Sequence, residues 1–356
     1  MAETAYKNFK ITALPNCEVE IEAEVSAKDF LPYRNRALKK LTKDAKIPGF
    51  RPGHIPEKVL VDKLGESGIL EEAAQMALSE VYPNIVLKEA IDVLGRPEIT
   101  ITKIAAGNPL GFKIKTAILP TFDLPDYVKI SKEILKEKGA TDISVKDGEV
   151  DAVLLDIRKT RAQAEAKKKG KELKLESIVE KDLPPLTDKD AKGFGEFKNL
   201  TDFRDRVKEN LKKEKIIRAK ESRRGEISEK LIEKTKIMLP NILVESELHK
   251  MLSQMKEDIT RMGMKYEDYL KNTGKTEEGL CGEWRENAKK RAKLQLIMNA
   301  ISDKESLKPS DVEIDNDVKS LLEHYKDADP DNLRIYVRSL LSNEKVFAFL
   351  EGDKGS

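Results

Sequence analysis

The chain has 356 residues, of which 37% are charged and 5% aromatic, with a net charge of +2 and a mean hydropathy of −0.53. That length predicts two or three domains, and that composition predicts thin cores under a large wetted surface. The near-neutral total excludes a polycation that coats nucleic acid over its whole surface, and no apolar run approaches a membrane span.

Residues 18–25 alternate strictly, with Glu18, Glu20, Glu22 and Glu24 to one side and Val19, Ile21, Ala23 and Val25 to the other. A period of two is that of a half-buried strand. Phe9 to Ala13 precedes it across Leu14-Pro15-Asn16, which predicts a hairpin. Ser26 then caps a helix with Asp29 in its first turn and Phe30, Tyr33, Ala37 and Leu41 on one face. Its basic residues, Arg34, Arg36, Lys39, Lys40 and Lys43, stay in water. Next comes Lys46-Ile47-Pro48-Gly49-Phe50-Arg51-Pro52-Gly53-His54-Ile55-Pro56, whose three prolines and two glycines forbid a helix or a central strand and predict an ordered, exposed loop. Phe50 and Arg51 sit at its apex, the ring-and-guanidinium composition of interface anchors. The bland alternative folds Phe50 back onto its own domain and leaves Arg51 merely solvated.

The positive charge is local. Residues 31–63 hold nine Lys and Arg against three Asp and Glu, a net of +6 within a total of +2, so the remainder carries −4. Such a cluster steers the loop toward a polyanion. Pro56 is placed at the start of a second helix with Val59, Leu60, Leu64, Ile69, Leu70, Ala73, Ala77, Leu78 and Val81 on its face and a break near Gly65 to Gly68. Two more alternating segments follow, Ile99, Ile101 and Ile104, then Phe112, Ile114, Thr116 and Ile118, joined by a Gly107-Asn108-Pro109 turn. The expectation is an α+β domain over residues 1–120, four antiparallel strands with two helices.

Residues 121–146 read as a connector without strong periodicity. A helix with Val150, Val153, Leu154 and Ile157 on one side runs to about Arg161, and Ala164 to Glu172 reads as a solvated, lysine-rich bridge. Residues 121–186 thus form a linker and arm helix. Residues 187–352 form an extended, mostly α-helical domain with long arms, and 353–356 a frayed tail. A long helix places Leu200, Phe203, Val207 and Leu211 on one stripe; Pro240 starts the next, with Leu248, Leu252, Met255, Ile259 and Met262 in line. Thr276 to Lys304 forms another, and Pro309 and Pro330 open two more.

No catalytic constellation is evident. His54, His249 and His324 lack a cysteine or paired carboxylate at ligand or triad spacing, no glycine-rich loop matches a nucleotide fingerprint, and Cys17 and Cys281 match no metal or redox spacing. The expectation is no cofactor, no metal and no ATP. Free thiols and the lack of an apolar leader predict a cytoplasmic protein. Six of the eight methionines fall between Met238 and Met298. Met adapts to partners of irregular shape, so Met251, Met255, Ile259, Met262, Leu294, Ile297, Met298 and Phe347 are candidates for an apolar cradle between helical arms. The same spacings also describe helices packing on each other.

Gly49-Phe50-Arg51-Pro52-Gly53-His54-Ile55-Pro56 resembles the Gly-Phe-Arg-x-Gly-Lys-x-Pro loop of the trigger factor family, bacterial chaperones that dock beside the ribosomal exit tunnel. Gly95-Arg96-Pro97-Glu98-Ile99, Leu239 to Glu247 and Trp284 to Ala292 are similar to other stretches of that family. The resemblance implies an ATP-independent chaperone that contacts ribosomal protein and RNA at the tunnel exit through Lys43, Lys46, Gly49, Phe50, Arg51, Pro52, Gly53 and His54. It implies clients that are unfolded nascent chains, with no membrane partner, and leaves open a weak homodimer of the free protein. His54 stands where the family has Lys, which implies weaker or mildly pH-sensitive ribosome contact. Most members carry an FK506-binding-type prolyl isomerase domain in the middle. Between Ala162 and Leu183 this chain has no Phe, Tyr or Trp and no alternating strands, so that activity is not carried over. Two alternatives remain beside this reading: a prolyl isomerase as in the wider family, and a helical RNA-associated scaffold.

Overall fold

The computed structural model describes residues 6–45, 50, 53–138, 143–168, 179, 181, 183–326 and 328–352. In chain order these form β1 (Lys7–Leu14), β2 (Glu18–Val25), α1 (Ala27–Asp44), α2 (Glu57–Lys88), β3 (Val93–Lys103), β4 (Leu110–Ile118), α3 (Tyr127–Lys138), α4 (Asp147–Lys168), α5 (Asp188–Gly193), α6 (Leu200–Lys234), α7 (Asn241–Arg261), α8 (Tyr266–Thr273), α9 (Glu277–Lys304), α10 (Asp311–His324) and α11 (Pro330–Glu351). The chain divides into two compact units, residues 1–123 with 235–297 and residues 124–234 with 298–356.

In the first unit the strands form one antiparallel sheet in the order β1-β2-β4-β3. Strict alternation buries Val19, Ile21, Ala23 and Val25 of β2, together with Leu110, Phe112 and Ile114 of β4, beneath Phe30 and Ala37 of α1 and Leu70, Ala73, Ala77 and Leu78 of α2. Small alanines at the contact let α2 lie close on the sheet. The opposite sheet face is a ladder of charge: Lys113 reaches Glu20 and Glu22 at 3.3 and 3.5 Å, and Lys115 reaches Glu18 at 2.8 Å. Such cross-strand pairs favour this register over its one-residue slips, which would turn the glutamates inward.

β3 begins earlier than the alternation at Ile99 predicts, so Gly95-Arg96-Pro97 lies within the strand. Its register against β4 shifts between Leu94 and Glu98, and an edge strand tolerates a proline and a bulge there. Gly95, at φ +71°, lies against the first turn of α7, where a Cβ would overlap Ile242 Cδ1. Beside it, the Cys17 thiol donates to the Met238 carbonyl at 3.2 Å. Farther along, Val244 and Leu248 of α7 pack with Ala288 of α9, flanked by Met251, Cys281 and Trp284.

In the second unit Val150 and Leu154 of α4, Ala191 of α5, and Phe203 and Val207 of α6 form one cluster. At 35 residues, α6 is roughly 50 Å long at 1.5 Å per residue. Arg224 joins it to α11, donating to Glu344 at 2.6 and 3.0 Å and to Glu351 at 3.2 and 3.1 Å, with its guanidinium 4.8 Å from the Phe347 ring centroid.

Three expectations are corrected here. The connector at 121–146 contains α3, whose buried Tyr127, Ile130 and Ile134 recur at helical spacing; a stripe of three among Lys and Glu is a faint signal. α4 runs on to Lys168 instead of stopping near Arg161. It is braced by Arg158, which donates to the Leu183 and Pro184 carbonyls, and by Arg161, which pairs with Glu165 and Asp190. Finally, α8 occupies a stretch between two predicted helices where no element was expected.

Gly95→Ala is expected to destabilise the first unit by about 1–3 kcal/mol, because alanine is strained at positive φ and its methyl overlaps Ile242. The denaturant midpoint measures this, and adding Ile242→Ala should recover the overlap part but not the backbone part.

Candidate functional site

The corner between α1 and α2 positions the Pro/Gly-rich loop. At the end of α1 the Ala45 N–H donates to the Leu41 carbonyl at 2.8 Å, and the Thr42 hydroxyl donates to the Leu38 carbonyl at 2.6 Å. The loop returns where the Gly53 N–H donates to the Thr42 carbonyl at 2.9 Å. Gly53 has φ +88° with nothing within 4 Å of where a Cβ would stand, so backbone conformation, not space, calls for glycine. Two residues on, Ile55 is buried with Leu38, Leu60 and Ile69, a small cluster separate from the main core. Both ends of the loop are therefore pinned.

Phe50, at the apex, is 39% exposed. Gly53, His54 and Lys43 are also exposed. Lys46, Gly49, Arg51 and Pro52, expected at the same site, lie outside the described residues.

The basic residues of α1, expected to stay in water, are in part paired across to α2. Arg34 pairs with Glu66 at 2.7 Å and Glu57 at 3.1 Å, Arg36 with Glu80 at 2.8 Å, and Lys40 with Glu72 at 2.7 Å. Acidic residues of α2 thus compensate half of the local charge, and Lys40 is removed from the set expected to attract a polyanion. Lys39 and Lys43 remain exposed, with no ion pair among the described residues. Hydrogen bonds from Arg34 hold the Glu66 carboxyl below the usual carboxylate range, and Arg36 and then Tyr33 do the same for Glu80.

The candidate client-binding residues do not form one surface. Ile259, Ile297 and Met298 are buried core residues, a correction to their expected place on a cradle. Their stripe is the one on which the helices pack. Met251, Met255, Leu294 and Phe347 are half-buried, Phe347 beneath Arg224. Met262 is 80% exposed where α7 ends, with Met264 also exposed just beyond it. Sequence reasoning missed exposed Met264 in the first unit and Val312, Ile335 and Tyr336 in the second. Ile335 and Tyr336 stand next to buried Val337, so an apolar residue beside the buried stripe was the available signal.

Comparison with known proteins gives a consistent result. Residues 7–157 match the model of the bacterial trigger factor protein (TF), and residues 199–353 match that of its C-terminus. The trigger factor of Halothermothrix orenii is 27% identical over 393 aligned positions, covering 90% of this chain and 91% of the relative. That of Bacillus pumilus is 27% identical, covering 86% and 89%. A solved structure from work on promiscuous substrate recognition in folding and assembly activities of the trigger factor chaperone superposes with a TM-score of 0.54 at 17% identity, covering 98% of this chain and 100% of that one. The alignment to the Halothermothrix protein is longer than this chain, so that relative carries residues this chain lacks.

A carboxylate whose folded pKa is depressed stabilises the fold above its unfolded pKa and loses that contribution as pH falls through the folded value. The α1–α2 corner should therefore loosen as pH drops below about 4.5, the ordinary value for Glu66. Thermal unfolding from neutral pH to about pH 3 measures it, and Arg34→Met should flatten the dependence.

Proposed function

The chain belongs to the trigger factor family of chaperones, and on that premise we propose that it docks on the ribosome through the 46–54 loop and shelters nascent chains without ATP. The observation that carries this reading is Phe50, an aromatic ring 39% exposed at the tip of a loop whose two ends are fixed by the Gly53–Thr42 hydrogen bond and by buried Ile55. Leaving apolar ring surface in water has a cost that folding does not recover, and a partner surface that covers it recovers that cost. In this reading the ring inserts into a protein surface at the tunnel exit while Lys43, Lys39 and Arg51 follow the ribosomal RNA beside it. His54, exposed next to Gly53, occupies the position where the family motif has a permanent cation.

Docking raises the local concentration of emerging chain, so each apolar contact to it can be weak. Exposed apolar side chains serve this on each unit: Met262 and Met264 on the first, Val312, Ile335 and Tyr336 on the second. Mixed surface charge keeps such small patches soluble.

The protein works without prolyl isomerase activity in this reading. The two family matches leave only residues 158–198 between them. Their described part begins with the end of α4 and includes α5. An RNA-associated scaffold is less well supported, since α2 pairs with Arg34, Arg36 and Lys40 and little free charge remains on α1.

Phe50→Ala combined with Arg51→Ala is expected to abolish co-sedimentation with ribosomes while aggregation suppression by the free protein persists. Ribosome binding that survives this change overturns the docking reading. A protease-coupled proline-peptide assay should show no rate above background, and a measurable rate overturns the non-enzymatic reading.

A further inference from the structure

The second helix is not continuous. Within α2, Gly65 has φ +75° and ψ +153°, outside the helical region, and splits Glu57–Leu64 from the remainder. A Cβ on Gly65 would meet only Ser67 Oγ, at 3.6 Å, so the break is a backbone requirement and not a packing one. In an unbroken helix Glu57 and Glu66 would be separated by about 13 Å along the axis at 1.5 Å per residue. Here both carboxylates converge on one guanidinium. Arg34 Nε and Nη2 donate to the two oxygens of Glu66 at 2.7 and 3.0 Å, and Nη1 donates to Glu57 at 3.1 Å. The Arg34 side chain is only 20% exposed.

The two sides of the break are held differently. Beyond it, α2 lies in the main core and is tied to α1 by Lys40–Glu72 at 2.7 Å, Arg36–Glu80 at 2.8 Å and Tyr33–Glu80 at 3.0 Å. Before it, Glu57–Leu64 has the small cluster around Leu60 and Ile55 and, among the described residues, a single ion pair to α1, that of Arg34 with Glu57. This short segment receives the chain directly from the Pro/Gly-rich loop.

We propose that Arg34 is a positioning residue for ribosome docking: by bridging Glu57 and Glu66 it locks the segment before the Gly65 break against α1 and so fixes how Gly53 and His54, the docking residues that lead into that segment, are presented. The proposal rests on the docking reading given above. Only guanidinium has the planar fork that satisfies three oxygens from two carboxylates; an ammonium of the same charge does not. An unlocked segment presents the loop correctly for only part of the time, and apparent affinity falls by that fraction.

The test uses the full chain, with amide hydrogen exchange and ribosome co-sedimentation measured in parallel. Arg34→Ala and Arg34→Lys are both expected to speed exchange across residues 57–64 several-fold, leave residues 70–85 unchanged, and weaken ribosome binding by about tenfold. Glu57→Ala with Glu66→Ala separates geometry from charge. Removing two negative charges beside a basic loop tightens binding if the region acts only by attraction, and weakens it if the bridge sets direction. Should Arg34→Ala impair folding, Glu57→Ala alone, at an exposed position, provides the same readouts. Unchanged exchange across 57–64 overturns the lock, and faster exchange with unaltered ribosome binding overturns its positioning role. Tighter binding of the double glutamate variant overturns it as well. If Phe50→Ala with Arg51→Ala binds like the wild type while Arg34→Ala still speeds exchange, it is the docking reading that fails and not the lock.

Discussion

Burial of one sheet face beneath α1 and α2 is the constraint on which the candidate site depends. Val19, Ile21, Phe112 and Ile114 fill the space under Ala73, Ala77 and Leu78, and this contact sets the direction of both helices. If the sheet slipped by one residue, its glutamates would turn inward and the helices would lose the surface on which they rest. The charge ladder on the opposite face, Lys113 and Lys115 against Glu18, Glu20 and Glu22, opposes that slip at little cost because it stays in water.

The corner between the helices is built differently from the core below it. Its apolar cluster is small, and much of its definition comes from polar contacts: the Gly53–Thr42 hydrogen bond, the Arg34 fork and the pairs of Lys40 and Arg36. Exposed single ion pairs contribute little stability, but a half-buried arginine fork shared by two carboxylates defines geometry more than it adds energy. That suits a contact element, which needs a fixed direction and a solvated surface together. The same pairs reduce the net charge of α1. Near the loop, Lys39 and Lys43 stay exposed and without an ion pair among the described residues.

The helical segments show how an apolar stripe divides between buried and exposed positions. Ile259, Ile297 and Met298 belong to helix contacts, whereas Met262 and Met264 stand exposed where α7 has ended. On α11 the change occurs from one residue to the next, with Tyr336 exposed beside buried Val337. Within each unit, exposed apolar positions on charged helices suit the weak and adaptable grip on unfolded segments proposed above.

Local periodicity and backbone chemistry were enough to determine a good deal. The strict alternation at 18–25 marks β2 to its ends, Ser26 marks the start of α1, and the Gly65–Gly68 pair marks the break in α2, because these features act within one or two turns of chain. The Gly-Phe-Arg motif at 49–51 likewise identifies the family. Short stripes and crowded charges were less legible: α3 has three buried apolar positions, and α4 continues because distant carbonyls and Asp190 receive its arginines. Which lysines are free, which methionines are covered, and that Glu57 and Glu66 share one arginine were settled only by tertiary structure. The physical reason is that burial and ion pairing depend on what lies across the gap, and a helix face has the same sequence pattern whether a neighbouring helix, a client or water covers it.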